Sequence, residues 1–414
     1  MQAVIEQQDT RIAENAQRQV IWGSLPRLQL TGRTTRLSRV QGFFFTDPVS
    51  GAQTEVEIPV WNHLINVGLT VPLSDYLLRL VQTLRGASTN RDAAALEEQA
   101  ARVTSASNAK IAYYDWVRTR LETVVSEQAL SEATAQLTRM QALYSVGRAA
   151  QADLLQAQAF EADARLALTQ SQTNGTVAEE RLRIGMHARP EEQLTVGEDV
   201  LADFGAKDEA KGIEDLYSEA VEQRLEIRAL AKSHAALEDT RYVEATKAWP
   251  KLDAVGNVTY ANPNQRIFPQ TQEWNTTWDV GLQLTWAIND FGVERAAADT
   301  VDAQVVQLEQ RRRSVEEGLR IEVVSAHGAL NQARQNVVTA EQGERAAAAA
   351  YEARARLQEQ GMGTTLELLQ AETSRIRARL NLIYAHIALR VARTQLDHAV
   401  GRDAPRDPNA AASR

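Results

Sequence analysis

Four short phrases of this chain occur twice, in the same order and about half a chain apart, and no other feature limits the fold as strongly. "LPRLQLTGRTT" (25–35) returns as "WPKLDAVGNVT" (249–259), and "WNHLINVGLTV" (61–71) as "WNTTWDVGLQL" (274–284). "LSDY" (73–76) returns as "INDF" (288–291), and "VGRAAQADLLQAQ" (146–158) as "QGMGTTLELLQAE" (360–372). The last three pairs lie 213, 215 and 214 residues apart, so the chain reads as a tandem duplication of roughly two hundred residues. The first pair lies 224 apart, which assigns the length difference to the stretch between Gly32 and Trp61. That stretch contains "GFFFTDPVSGAQ" and is expected to be a longer loop in the first copy.

Each copy carries a pair of strands. Trp274, Trp278, Val280, Leu282, Leu284 and Trp286 alternate with Asn275, Thr277, Asp279, Gly281, Gln283 and Thr285, and Thr276 is the one polar residue on the apolar side. This period of two predicts a strand with one apolar face. Trp61, Ile65, Val67, Leu69 and Val71 repeat the pattern, with His63 and Leu64 as its outliers. Partner strands are expected to start at Leu28 and Leu252, giving a β-hairpin over 26–72 and another over 250–288.

Long helices follow. Leu319, Val323, Ala326, Leu330, Ala333, Val337 and Ala340 fall at alternating steps of four and three, as do Leu366, Leu369, Thr373, Ile376, Leu380, Ile383 and Ile387. Such heptad seams predict antiparallel helices over 290–401 that turn near 361, and likewise over 76–185 turning near 147. A helix of about 65 residues would span roughly 100 Å. The expected order is a first repeat over 1–185, a turn-rich connector over 186–212, and a second repeat over 213–401 that begins with a helix to about Ala248. Residues 402–414 are expected to be a flexible tail.

The strand faces carry the functional signal. A soluble sandwich would show similar alternation. Here Trp278 and Trp286 bracket the apolar face at the length of a tilted membrane strand, and the opposite face is small and polar, as in a water-filled barrel. Trp61 and Trp274 are further candidate interface aromatics. Four strands cannot close a barrel, and open edges are not tolerated in lipid, so closure must come from association; three chains would supply twelve strands.

Other chemistries find little support. A formal charge of −9 offers no field for nucleic acid, and the chain has no cysteine. The six histidines show no metal-ligand spacing, and no phosphate loop or nucleophile motif occurs, so catalytic residues, cofactors and metals are all expected to be absent. No window is apolar enough for a spanning helix, and the first residues lack an export signal. Asp153 and Glu367 lie six residues beyond Gly147 and Gly361 at matching sites. They are either helix N-terminal acids favoured by the macrodipole or, around an axis, carboxylate rings of a cation-favouring constriction.

With its duplicated "P-[RK]-L" strand starts, "VGL" strands, "LSD" and "IND" junctions and paired hairpin tips, the chain resembles the TolC-like outer-membrane efflux protein family from about Ala13 to Gly401. The resemblance implies a mainly α protein with a membrane β part: a homotrimer whose twelve-strand β-barrel in outer-membrane lipid continues as an α-helical barrel through the periplasm. It implies a passive channel of an efflux or type I secretion system. The tips, at Gly147, Arg148, Gly361 and Gly363, would dock a periplasmic adaptor coupled to an inner-membrane transporter of RND, ABC or MFS type. It also puts Glu367 at an acidic constriction, whereas Gln370 stands where relatives can carry a second acid. Relatives have an export signal and a longer N-terminal helical segment; matching the second copy would need about 11 residues before Met1, so a trimmed N-terminus is expected. A periplasmic adaptor would show one helical hairpin between lipoyl-like half-motifs, and a soluble coiled-coil scaffold would stay aqueous and not trimerise.

Overall fold

The computed structural model describes residues 2–40, 43–46, 51, 53–56, 59–189, 191–202, 211–268 and 270–404. The expected tail lies almost wholly outside these residues, as do parts of the connector and of the 42–53 loop. The chain divides into two compact units, one of Gln8–Ala94 with Leu230–Arg311, the other of Met1–Gln7, Ala95–Ala229 and Arg312–Arg414.

The first unit is built on a four-stranded antiparallel sheet: β1 (Arg27–Arg36), β4 (Trp61–Pro72), β5 (Lys251–Asn262) and β6 (Asn275–Thr285), in the order β1-β4-β5-β6. Its central pairing, β4 with β5, joins segments from the two halves of the sequence. Val67 lies opposite Val258, and Val258 opposite Trp278, so the apolar positions of successive strands fall on one face. Helix α1 (Gln2–Gly23) ends before β1: Ser24 N–H still reaches Val20 O at 3.0 Å, and Pro26, two residues on, cannot continue the helix. Trp249 and Pro250 close α6 (Leu225–Thr246) in the same way before β5.

The stretch expected to be a loop in the first copy instead carries a small two-stranded ladder, β2 (Phe43–Thr46) with β3 (Gln53–Val56). The aromatic run Phe43-Phe44-Phe45 followed by Thr46 favours extended pairing over an irregular path.

In the second unit, helices α3 (Leu80–Ser145), α4 (Gln151–Met186), α5 (Ile213–Gln223), α7 (Phe291–Glu359) and α8 (Thr365–Val400) pack by their seams. Leu319, Val323, Ala326, Leu330 and Ala333 of α7 are buried against Leu216 and Ala220 of α5 and Ala392, Leu396 and Val400 of α8. Ile383 and Ile387 of α8 join a second cluster with Trp116, Val117 and Val125 of α3 and Leu182 of α4. The α8 seam starts differently from its spacing: Leu366 is exposed and Leu368 is buried in its place. A short helix, α2 (Leu73–Leu78), links β4 to α3.

The helix expected from Ile213 to Ala248 is broken at Arg224, whose backbone is extended. Its guanidinium bonds Glu226 at 3.1 Å, Glu322 at 3.1 Å and the His398 carbonyl at 2.9 Å. Gly401 packs so close that a Cβ there would stand 3.1 Å from the Gln223 carbonyl carbon. The break thus seats the end of α8, which a continuous helix would obstruct.

Connector residues 198–202 are clasped by one buried side chain. Arg390 donates to the carbonyls of Val200, Asp199 and Ala202 at 3.1, 2.9 and 3.2 Å, and pairs with Glu198 at 3.3 Å. Burial, reinforced by Glu198, pushes the neighbouring Tyr114 hydroxyl up to about 12.

Candidate functional site

The sheet presents two contrasting faces. On β6, Trp278, Val280, Leu282 and Leu284 are 69–75% exposed, and a contiguous bare apolar patch of this kind marks an interaction surface for protein or membrane. Leu28, Leu30, Ile65, Val67, Leu69 and Val258 extend this face across β1, β4 and β5. The other face is lined with hydrogen-bonded polar groups: Thr259 Oγ1 donates to Asn66 Oδ1 at 2.9 Å, and Asn257 Nδ2 to Asp279 Oδ2 at 2.9 Å. Among the described residues the outer edges of β1 and β6 have no strand partner.

Aromatic side chains mark the ends of the apolar face. At the loop end Trp61 stacks on His63 with centroids 6.2 Å apart, His63 faces Trp274 at 6.2 Å, and Trp274 stacks on Tyr260 at 4.8 Å. His63, the polar outlier on this face, therefore sits within an aromatic band and shares a 3.2 Å hydrogen bond with Thr34 Oγ1. Trp286 lies at the helix end, just beyond Thr285, which pairs with Lys251. Trp278 is inside the strand, opposite Val258. Trp274 to Trp286 covers about 40 Å of strand, or roughly 28 Å at a 45° tilt, closer to the apolar band of a membrane barrel than the Trp278–Trp286 interval. Trp22 and Trp249, just ahead of β1 and β5 in the chain, are also more than half exposed.

The two helix tips share one backbone design. Gly147 and Gly361 have φ of 72° and 73°. In each, the glycine N–H bonds the carbonyl three residues back at 3.0 Å, and the next residue's N–H bonds the one five back at 2.8 and 2.9 Å. This is the Schellman ending, which favours glycine because a side chain is strained at positive φ. Arg148 is exposed, and Gly363 packs so that a Cβ would meet Gln358 N at 3.1 Å. The helices end alike at the other side too: His187 and Gly401 are both left-handed caps, 214 residues apart.

Asp153 and Glu367 each sit in the first turn beyond a tip. Asp153 Oδ2 accepts the Ala150 N–H at 3.3 Å. Glu367 accepts the Thr364 N–H at 3.3 Å, Thr364 Oγ1 accepts the Glu367 N–H at 3.3 Å, and Arg354 lies 3.3 Å from the same carboxylate. Both acids thus act as helix caps within the chain.

Further along α8 the buried Glu372 lies beside the partly exposed Glu132 of α3. Arg375 bonds Glu372 at 2.7 Å and also Glu132 of α3, and its guanidinium lies 4.2 Å from the Tyr351 ring centroid on α7. Burial, helped by the hydrogen bond to Glu132, raises the Glu372 carboxyl to about 7. Burial opposes ionisation of Glu132 too, but hydrogen bonds from Glu372, Gln128 and Arg375 hold it below its ordinary value. In mildly acidic solution the proton of the pair therefore sits on Glu372 rather than on Glu132. No group of residues suited to a metal ion occurs among the described residues.

Residues 216–402 match the family model for outer membrane efflux proteins. The whole fold is similar to solved outer-membrane channels. Against the outer-membrane channel OprN the TM-score is 0.77 at 18% identity, covering 96% of this chain and 86% of that one. The CmeC channel of Campylobacter jejuni gives 0.78 at 15% over 99% and 85%, and the open MtrE channel of Neisseria gonorrhoeae 0.79 at 15% over 98% and 87%. No curated protein matches the chain.

Proposed function

We infer that this chain, whose residues 216–402 match the family model for outer membrane efflux proteins, is an outer-membrane channel subunit of an efflux system. The observation that carries the reading is the sheet: a continuous exposed apolar face banded by aromatics, a polar opposite face, and two edges without a strand partner among the described residues. In lipid the apolar face is satisfied and the edges are not, so copies must pair β1 of one chain with β6 of the next. Three copies would close twelve strands around the polar faces, with the helices continuing the duct on the periplasmic side.

The tips at Gly147, Arg148, Gly361 and Gly363 would meet a periplasmic adaptor, and through it an inner-membrane transporter that supplies the energy. Asp153 and Glu367, already oriented by their caps, would line the narrow end as carboxylate rings. Nothing in this reading calls for catalysis; the duct is passive.

The test is ionic conductance of the purified protein in planar bilayers. The reading predicts discrete channel steps, with Glu367→Gln lowering cation preference. A protein that never conducts would contradict the reading; conduction unchanged by Glu367→Gln would remove the acidic constriction and leave the duct.

A further inference from the structure

The connection that follows β5 starts out against the sheet. Residues 263–268 turn back along the polar face, which is the wall of the passage if the channel reading above holds; the inference rests on that reading. Asn264, 3% exposed, donates from Nδ2 to the Asn275 carbonyl at 3.0 Å and to Thr277 Oγ1 at 3.1 Å. Its Oδ1 accepts the Arg266 N–H at 3.0 Å. Arg266 then reaches two residues further along β6, donating from Nη2 to Asp279 Oδ1 at 2.9 Å and from Nη1 to the Trp278 carbonyl at 3.0 Å.

The anchor is wider than one strand. The other Asp279 oxygen accepts from Asn257 of β5, and buried Asn62 of β4 donates from Nδ2 to the Pro263 carbonyl at 3.2 Å. Surface loops are ordinarily solvated and loosely held. Here two buried asparagines and a charge-assisted pair tie Pro263, Asn264 and Arg266 to three strands. Thr277 and Asp279 alternate with Trp278 and Val280, so the bonds to Thr277 and Asp279 fix the side on which the segment lies.

We propose that residues 263–268 form a strap that narrows the outer mouth of the passage, and that Arg266 and Asp279 set the charge that passing ions meet there. The strap stands at the loop end of the sheet, opposite the helices. Both charged groups remain partly open to solvent, so each neutralises the other without being hidden from the passage. Removing the cation bares Asp279; removing the anion bares Arg266. Charged wall groups at a constriction govern ion preference.

The experiment is reversal potential and conductance of the full chain in planar bilayers under a potassium chloride gradient. Arg266→Gln should shift selectivity towards cations and Asp279→Asn towards anions, and release of the strap should raise conductance by about 1.5-fold or more in each. Arg266→Lys keeps the charge but loses the fork, and should raise conductance with little change in reversal potential. Because Arg266 lies outside the strands, its variants test the strap even where Asp279→Asn does not assemble. Variants with wild-type conductance and reversal potential, or shifts of the same sign for Arg266→Gln and Asp279→Asn, would overturn the proposal. Wild-type protein that never conducts would overturn the channel reading, and this inference with it.

Discussion

The sheet and the helices of this chain solve the same problem in opposite senses. In the helical unit Val323, Leu396, Val400 and Val117 are turned inwards and covered almost completely. In the sheet Val280, Leu282 and Leu284 are turned outwards and left bare. Both arrangements follow from periodicity, and the difference lies in the solvent each is matched to. A seam at steps of three and four has a facing helix to receive it. Among the described residues no second layer covers the outward face of the four-stranded sheet, and the channel reading leaves that face to lipid.

Substitutions can break that contrast. In the helical unit Leu396→Ala leaves a cavity among α5, α7 and α8 and should cost about 2–5 kcal/mol, read as a lower unfolding temperature with circular dichroism as the probe. An unchanged midpoint would show that this seam does not bear the packing. On the sheet, Leu282 is mostly exposed, so Leu282→Arg removes little packing within the chain, yet it should cost about 2–4 kcal/mol in the membrane and deplete the protein from the outer-membrane fraction. A soluble sheet would accept the same arginine with almost no loss.

A smaller effect separates the units by pH. The Glu372 carboxyl is raised in the fold to about 7, so the stability it contributes is complete below its ordinary value of 4.5 and is lost as pH rises through 7. Unfolding midpoints should fall between about pH 5 and pH 8 by an amount on the order of 1–2 kcal/mol, and Glu372→Gln should flatten that slope. A slope that survives the substitution would assign the titration elsewhere. Glu132, held low, contributes its own change only in more acidic solution.

The smallest expected effects are at the tips. Gly147→Ala and Gly361→Ala each force a side chain into positive φ and should cost about 1 kcal/mol. Matching losses would agree with their common backbone design, whereas a neutral result at one tip would show that its turn relaxes.

Periodic features were legible before any coordinates. The β6 alternation and the α7 seam from Leu319 to Val337 fall where spacing placed them, because one face of each element has one environment. Position along a strand was less legible: Trp278 reads as a terminal girdle residue, yet the strand runs on to Asn275. The break at Arg224 carries no glycine or proline, since its cause is the end of α8, more than 170 residues away in the chain. The pairing of Glu132 with Arg375 has no local signal for the same reason. The strap at residues 263–268 is in the sequence only part of the hairpin expected over 250–288, and only the third dimension shows Asn264 and Arg266 lying against the sheet.

The account's central claim is that the bare edges of β1 and β6 are closed by other copies of the same chain in lipid. Its most direct test is the mass of the particle extracted in mild detergent from outer membranes, measured by light scattering with the detergent subtracted. The account predicts three chains per particle. A single chain, or protein recovered wholly in the aqueous fraction without detergent, would contradict it.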